Sequence, residues 1–322
     1  MSFSSATVTM NSSELSDNPV NVATAVPEIS VGIITFKRPR MLATLLEELT
    51  RQESDGLFQI SIVVVDNDRE ESARETVNAI ARRSPIPISY DVEREQNLSL
   101  ARNRCIQNAT GEYLAYIDDD EIPPARWLVT LYQMLVKAGV DGVLGPVYPK
   151  FEIEAPGWLT RSRAAERPAL PTGRILNWQE TRTGNVLMKK TVCAEPGNRF
   201  DPRFASHGED RDFFRRAMAQ GARFVWCAEA ALPEIQPAER LRRRFYFRRA
   251  LLRGSVSWKQ APSLSLLIKT IGALVIYAVA LPFLLLGGQG WFMRYAVKFC
   301  DHAGRLLCAV GVNVDNLLKL LS

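Results

Sequence analysis

Short apolar segments of strand length alternate with longer segments of helical periodicity between residues 28 and 150. Pro39 follows the first apolar segment, and the residues after it place leucines on one face, as is typical of an amphipathic helix with proline in its first turn. Five strands are predicted, at residues 29–36, 59–65, 86–92, 113–117 and 142–148. This regular alternation predicts an α/β fold with a mostly parallel sheet and helices on both faces.

Polar and acidic side chains end three of these predicted strands: Thr35, Asp66 and the triplet Asp118, Asp119 and Asp120. Parallel strands bring their C-terminal ends to one edge of the sheet, where ligands bind in open α/β sheets. Three adjacent carboxylates repel one another unless a cation lies among them, and Mg²⁺ or Mn²⁺ favours hard oxygen ligands together with a substrate diphosphate. The alternative for the triplet alone is a solvated acidic turn. The chain has no glycine-rich dinucleotide motif and no P-loop, so a bound nucleotide must be held in another way.

Charge is distributed unevenly along the chain. Residues 1–236 contain 27 Lys and Arg against 32 Asp and Glu, whereas residues 237–322 contain 13 against 3. The five cysteines form no CxxC pair and no zinc spacing with the two histidines, which indicates reduced thiols in a cytosolic setting. Residues 1–27 have no basic residue and no apolar core, so we predict a disordered leader rather than a secretory signal.

Six short motifs occur in a fixed order along the chain. They are Ile33-Ile34-Thr35-Phe36-Lys37-Arg38-Pro39, Val64-Val65-Asp66-Asn67, Gln96-Asn97-Leu98-Ser99-Leu100-Ala101-Arg102-Asn103, Tyr116-Ile117-Asp118-Asp119-Asp120, Thr183-Gly184-Asn185-Val186-Leu187 and Gly208-Glu209-Asp210. In order and spacing, over about residues 28–254, they resemble the inverting family 2 glycosyltransferases of the GT-A fold. The resemblance is strongest to the branch that builds bacterial surface polysaccharides.

The resemblance implies a nucleotide-sugar donor bound at the strand ends. The residues that it assigns to donor binding are Thr35, Phe36, Arg38, Asp66, Asn97, Arg102, Asn103, Asp118, Asp119 and Glu209. It further implies that Asp118 and Asp120 form a DxD motif that holds Mg²⁺ or Mn²⁺, and that Asp210 is the catalytic base. One segment differs from the family, because its common Val-Asp-Asp-Gly-Ser turn is Asp66-Asn67-Asp68-Arg69 here.

Two separate acidic clusters suit the chemistry of sugar transfer with inversion. The leaving diphosphate must be neutralised, and the acceptor hydroxyl must lose its proton on the opposite side of the sugar. The triplet at residues 118–120 and the pair Glu209-Asp210 lie about ninety residues apart and meet this requirement. The alternative for Glu209 and Asp210 is an acidic helix start that is favourable to the helix dipole by roughly 0.3–1 kcal/mol.

The C-terminal region combines basic and apolar segments. Residues 240–259 contain eight basic residues and no acidic one, and residues 270–286 contain no charge. A spanning helix needs about 20 apolar residues, so the uncharged segment is of marginal length. A basic segment beside an apolar one predicts attachment to the cytoplasmic side of a membrane, and a buried core helix is the alternative.

These observations predict three regions and one main function. The regions are a leader at residues 1–27, a GT-A domain at 28–236 with a nucleotide-sugar half (28–150) and an acceptor half (151–236), and a membrane-attachment region at 237–322. The predicted function is transfer of a sugar to a glycan or lipid-linked acceptor at the inner face of a bacterial cell membrane, without a nucleic-acid partner. The alternatives are a metal-dependent nucleotidyltransferase, which has no need of Asp210 and releases pyrophosphate, and a non-catalytic, membrane-anchored nucleotide-sugar binding protein.

Overall fold

A computed structural model describes residues 26–167, 169–193, 198–205 and 207–320. The leader predicted at residues 1–27 therefore lies outside the described residues, apart from its last two positions. The strands are β1 (Glu28–Thr35), β2 (Gln59–Asp66), β3 (Ile88–Val92), β4 (Tyr113–Tyr116), β5 (Gly142–Leu144), β6 (Val147–Phe151), β7 (Val186–Lys189), β8 (Phe224–Trp226) and β9 (Leu232–Gln236). The helices are α1 (Pro39–Leu49), α2 (Arg74–Ala81), α3 (Leu98–Asn108), α4 (Trp127–Ala138), α5 (Gly157–Ser162), α6 (Glu209–Ala219), α7 (Arg243–Gln260), α8 (Leu264–Leu286), α9 (Gln289–Ala309) and α10 (Val314–Leu320).

Seven strands form the main sheet in the order β3-β2-β1-β4-β7-β5-β8. All neighbouring strands in it are parallel except β7, which runs antiparallel to both β4 and β5. This confirms the predicted mostly parallel sheet. The register places Thr35 beside Asp66 at the ends of β1 and β2, and β4 next to β1 brings the acidic triplet to the same edge.

Hydrophobic helix faces cover both sides of the sheet, as predicted. On one side, Leu42 and Leu46 of α1 and the buried residues of α2 and α4 pack against Ile33 and Val64. On the other side, α3 and α6 pack through residues such as Phe213. The alternating side chains of the strands therefore supply both cores, because successive residues of a strand point to opposite faces.

The segment predicted as a fifth strand, residues 142–148, forms two strands in different sheets. β5 ends at Leu144, and β6 pairs in parallel with β9 in a separate two-stranded sheet. Pro146 has no N–H for a sheet ladder, and a Cβ at Gly145 would overlap the carbonyl oxygen of Ala230. The chain therefore changes direction at this pair, and β6 and β9 form a wall beside the acidic triplet.

The C-terminal helices pack on the rest of the protein rather than forming a detached tail. A third hydrophobic cluster joins Trp158 and Leu159 of α5 to Tyr246 of α7 and Met293 of α9. Within the described part of the chain, α8 alone is long and apolar enough to cross a membrane, and 6% of its most apolar window is buried. Since Thr270 is the one buried residue of α8, the helix does not fit the alternative of a core helix.

Candidate active site

Thr35, the last residue of β1, and Arg38, three residues after it, hold the middle of the acidic triplet. The Thr35 hydroxyl donates a hydrogen bond of 2.9 Å to Asp119 Oδ2, and Arg38 Nη1 lies 2.9 Å from Asp119 Oδ1. Arg38 also reaches Asp120 Oδ2 at 3.3 Å. Burial raises the pKa of Asp119, while the charge of Arg38 and the Thr35 hydrogen bond oppose that shift. Arg38 therefore holds Asp119 and Asp120 together, and these two residues line a different cavity from the one that Asp118 lines.

Asp118 points into a cavity of about 650 Å³. Its side chain is 50% exposed, and the nearest cation is Arg102, whose Nη2 lies 3.9 Å from Asp118 Oδ1. Arg102, Glu209 and Asp210 line the same cavity. Residues that lie about ninety positions apart in the sequence therefore meet at one site, as the two-cluster prediction requires.

Arg102 is the buried cation between the two acidic clusters. Its guanidinium lies over the rings of Tyr116 and Phe200, with Nε 3.4 Å from Glu209 Oε1. Burial and the neighbouring charge of Asp210 raise the pKa of Glu209 to about 7, although Arg102 counteracts this. Glu209 is therefore buried against Arg102, immediately before Asp210 in the chain.

Asn97 and Asn103 of α3 fasten the segment that leads into α6. Asn97 caps α3 through its Oδ1 and donates from Nδ2 to Pro202 O at 3.0 Å. Asn103 donates to Phe200 O at 2.8 Å and accepts from the N–H of Phe200 at 2.9 Å. Their polar groups thus position the start of α6, which carries Asp210, and a direct contact with the nucleotide stays a prediction.

The last two predicted donor-binding residues, Asp66 and Phe36, are not among the residues that line this cavity. Asp66 is fully buried, and its carboxylate accepts hydrogen bonds from the N–H groups of Asp68 and Ala73 and from the Tyr90 hydroxyl. Phe36 is 37% exposed on the loop after β1. Asp66 therefore organises the loop at the end of β2, while Phe36 presents an open aromatic surface beside it.

Asp120 has partners that the sequence does not indicate. Arg240 Nη2 lies 2.9 Å from Asp120 Oδ2, and Arg240 Nη1 lies 3.2 Å from Glu234 Oε1. Burial, Asp118 and Glu234 raise the pKa of Asp120 to about 6, against the effect of Arg240. Arg240 begins the basic segment that the sequence assigns to membrane contact, yet here it bridges two carboxylates of the site. Helical periodicity gives no signal for this, because Arg240 precedes α7.

A divalent cation fits Asp118 better than Asp120. Asp118 is accessible, and the buried Oε1 of its neighbour Glu121 has no hydrogen-bond partner among the described residues. A Cβ at Gly184 would lie 2.9 Å from Asp118 Oδ2 and 2.8 Å from Glu121 Oε1, so glycine is needed beside these carboxylates. Asp120 Oδ2 already contacts two arginines. Within the described residues, no three acidic, histidine or cysteine side chains are placed to hold a metal by themselves, so a cation here needs oxygen ligands from a substrate.

Taken together, a mostly parallel sheet with carboxylates at its strand ends, opposite an acidic helix start, defines an enzyme of the GT-A class. The sequence profile of Glycosyl transferase family 2 matches residues 30–200. The succinoglycan biosynthesis protein ExoM of Rhizobium meliloti (strain 1021) is 33% identical over 217 residues, which are 66% of this chain and 68% of ExoM. The O-antigen biosynthesis protein RfbC of Myxococcus xanthus is 25% identical over 230 residues, 66% of this chain and 18% of RfbC.

Solved structures agree with the fold. S. aureus TarS (residues 1–349) in complex with UDP-GlcNAc has a TM-score of 0.52 at 13% identity, covering 88% of this chain and 92% of that one. The same part of TarS with UDP has a TM-score of 0.51. The family profile over residues 30–200 and the identity to ExoM show that the chain belongs to glycosyl transferase family 2, and it is a glycosyltransferase. Both the resemblance drawn from the six motifs and the GT-A fold are confirmed.

Proposed function

We propose that this protein transfers a sugar from a nucleoside-diphosphate donor to a glycan or lipid-linked acceptor, with inversion, during the synthesis of a bacterial surface polysaccharide. The observation that carries the proposal is the single cavity into which Asp118 and Asp210 both project. The names of ExoM and RfbC support the polysaccharide context. The TarS complexes make a uridine diphosphate sugar the first donor to test.

In the proposed reaction, Asp210 removes the proton from the attacking acceptor hydroxyl. It lies in the first turn of α6, where its Oδ1 accepts the N–H of Arg211 at 2.7 Å, and it lines the cavity. The neighbouring residue of α6, Glu209, is buried and pairs with Arg102. Thr35 and Arg38 orient the triplet on the donor side, and Asp118 faces the place where the anomeric carbon and the diphosphate are expected.

Asp118 would hold the Mg²⁺ or Mn²⁺, and Asp120, whose Oδ2 contacts Arg38 and Arg240, would be the second carboxylate. When bound, the cation supplies Lewis-acid stabilisation of the leaving diphosphate. The protein's own cations Arg38, Arg102 and Arg240 lie around the triplet and offset its negative charge. Oxygen atoms of the donor would supply the remaining metal ligands, because the described residues offer too few of their own.

We further propose that α8 attaches the enzyme to the cytoplasmic side of the cell membrane. After Lys269 its exposed side chains are uncharged and apolar, including Ile276 and Phe283, and the basic helix α7 precedes it. Basic residues near an anionic leaflet contribute about 1 kcal/mol each. This location gives the active site access to a lipid-borne acceptor.

The decisive experiment measures nucleoside diphosphate released from a panel of nucleotide sugars in Mn²⁺ or Mg²⁺. Asp210→Asn keeps the size of the side chain but cannot take the proton. We expect turnover to fall by roughly 10²–10⁴-fold while donor affinity, measured by calorimetry, stays near the wild-type value. Asp55→Asn, at an exposed loop aspartate outside the cavity, is the control for the loss of a carboxylate charge.

Three results would contradict the proposal. Release of pyrophosphate in place of nucleoside diphosphate would support the nucleotidyltransferase alternative. Donor binding without any turnover on the acceptor panel, equal in wild type and Asp210→Asn, would support the binding protein. Equal donor binding in EDTA and in Mn²⁺ would remove the metal from the proposal, because the diphosphate would then need no cation.

A further inference from the structure

The cavity that holds Asp118 and Asp210 also has a cationic wall. Part of this wall comes from the segment that leads to β7 and part from α7, which belongs to the C-terminal region. Besides Arg102 and Arg211, which lie with Glu209 and Asp210, four arginines line the cavity and form this wall: Arg167, Arg182, Arg249 and Arg253. Sugar transfer to a neutral hydroxyl does not by itself require such a surface.

Two of these arginines are satisfied by carboxylates outside the cavity. Arg167 lies 2.8 Å from Glu234, and Arg253 pairs with Asp301 of α9. Arg182 and Arg249 have no ion pair with any described residue. Arg182 donates to the carbonyl oxygen of Gly145 at 2.9 Å and lies over the Trp226 ring at 5.5 Å, and its buried Nε has no partner among the described residues.

The surroundings of these two arginines disfavour their positive charges and would favour a bound anion. Burial and the charge of Arg167 lower the pKa of Arg182 to about 10. Burial lowers the pKa of Arg249 as well, and Arg167, Arg253 and Arg240 add to that shift against Glu234. A guanidinium destabilised by neighbouring cations is stabilised by an anion, and arginine forms strong charge-assisted hydrogen bonds with phosphate oxygens.

The position of Arg249 indicates which substrate carries that anion. The donor diphosphate belongs beside the acidic triplet, whereas Arg249 lies on α7, about 16 Å along the helix from its C-terminal residue Gln260. The apolar helix α8, which has little buried surface, begins four residues after Gln260. The cationic wall is thus the part of the cavity that is closest in the chain to the proposed membrane helix.

We propose that Arg182 and Arg249 bind a phosphate or diphosphate group of the acceptor. This proposal rests on the proposed function and adds the chemical class of the acceptor: a glycan that carries an anionic phosphate group within reach of its reacting hydroxyl. Arg167 and Arg253 are paired with carboxylates, so Arg182 and Arg249, which have no ion pair among the described residues, supply the direct contacts.

Calorimetric titration of inorganic pyrophosphate into full-length protein in detergent tests the proposal, with the donor site saturated by UDP. We expect wild type to bind pyrophosphate, and Arg249→Gln and Arg182→Gln to bind it about tenfold more weakly, which corresponds to about 1.4 kcal/mol. Arg249→Lys keeps the charge and should restore part of the affinity. Arg244→Gln is the matched control, because Arg244 is an exposed arginine of α7 outside the cavity.

Farnesyl diphosphate separates the two sources of the phosphate. Tighter binding of farnesyl diphosphate than of pyrophosphate identifies a lipid-linked acceptor, and equal binding identifies a soluble phosphorylated glycan.

The proposal is wrong if UDP displaces all the pyrophosphate, or if the Arg249→Gln and Arg182→Gln proteins bind it like Arg244→Gln. If Arg182→Gln fails to fold because its guanidinium packs on Trp226, Arg249, for which no such ring contact occurs among the described residues, decides alone. UDP affinity, measured separately, reports on the proposed function: a protein that binds UDP but no second anion loses only this inference.

Discussion

Asp66 shows that a side chain at a strand end acts through the backbone around it. Sequence resemblance assigns it to the nucleoside, yet its two carboxylate oxygens accept three hydrogen bonds within the loop at residues 66–73 and from β3. Asn67 extends the same role, because its Nδ2 donates to the carbonyl oxygens of Glu93 and Glu95. The two side chains therefore hold the loop after β2 in place through hydrogen bonds to the backbone and to Tyr90.

Replacing Asp66 is therefore expected to destabilise the fold. In Asp66→Asn, an NH₂ group would face backbone N–H donors, and a buried donor without a partner costs about 1–3 kcal/mol. Urea unfolding should show a loss of stability in that range. Asp55→Asn, at an exposed loop position, should change the stability little. A loss of nucleotide affinity with unchanged stability would instead assign Asp66 to direct nucleoside contact.

Glu209 is expected to give the protein a characteristic pH dependence of stability. Its pKa is raised from 4.5 to about 7 in the folded protein, so the native state retains a proton that the unfolded chain releases between those values. The contribution of Glu209 to the free energy of unfolding is therefore fully present below about pH 4.5 and is lost as the pH rises through about 7, on the order of 3 kcal/mol in total. Denaturation at pH 5 to 8 should show this slope.

Glu209→Gln removes the titrating group, and its unfolding free energy should lack the Glu209 part of the slope. Glutamine does not titrate, so the slope of the variant, rather than the change in stability caused by the lost contact with Arg102, is the diagnostic quantity. Glu53→Gln, at an exposed glutamate, is the control. Parallel pH profiles of wild type and Glu209→Gln would show that Glu209 is ionised throughout this range in the native protein.

At the scale of elements, periodicity predicts the strands and helices of the first half because each has a single buried face. Residues 59–65 and the leucines of α1 appear in the structure where the pattern places them. The strand pair β6 and β9 was not predicted, since Pro149 and Pro233 make both strands irregular in sequence. Tertiary pairing between distant segments determines such strands, and no local pattern records it.

The same reason limits prediction of the site. Asp118 and Asp210 follow recognisable strand and helix boundaries, so sequence alone identifies them as candidates. Arg182, Arg240 and Arg249 reach the site from a long loop and from the C-terminal region. An arginine in a basic segment looks the same in the sequence whether it faces a membrane or a carboxylate, so folding decides its role.

The crossing of α7 and α9 depends on two glycines. A Cβ at Gly254 would overlap the carbonyl oxygen of Asp301, and a Cβ at Gly304 would overlap that of Leu251. We expect Gly254→Ala and Gly304→Ala each to separate the helices and cost about 1–3 kcal/mol, as overpacking does. Thermal unfolding in detergent measures the effect.

Gly272 of α8 provides the matched control for these substitutions. It is also a helical glycine, but nothing lies within 4 Å of a Cβ placed there. Alanine favours helix over glycine by about 1 kcal/mol, so Gly272→Ala should keep or raise the melting temperature. If Gly254→Ala and Gly304→Ala unfolded at the same temperature as Gly272→Ala, close packing of α7 on α9 would not contribute to stability.

At the scale of the whole molecule, the basic C-terminal region and the acidic catalytic region are joined into one body. The cluster around Trp158 and Met293 ties α9 to α5, and the contact of Arg240 with Asp120 ties the start of the region to the catalytic triplet. Truncation after α7 would remove Met293 and expose the apolar surface around Trp158 that it covers, so the damage would go beyond membrane attachment. Substitution within α8 is a sharper test of its role.

We expect the full-length protein to sediment with bacterial membranes and to be released by detergent but not by about 1 M salt. Salt at this concentration reduces the Debye length to about 3 Å and removes surface attraction by the basic residues, whereas inserted apolar side chains are insensitive to it.

Val275 and Val279 are 60% and 63% exposed on α8, and a charged residue at the centre of a membrane helix costs about 2.5–3.5 kcal/mol. The Val275→Glu, Val279→Glu double variant should therefore move to the soluble fraction or become extractable by salt. Asn78→Glu with Ala79→Glu changes the net charge equally at exposed positions of α2, and that variant should stay with the membrane. Complete release of wild type by salt would assign attachment to the basic helix α7 alone, and α8 would then need a protein partner to cover its apolar surface.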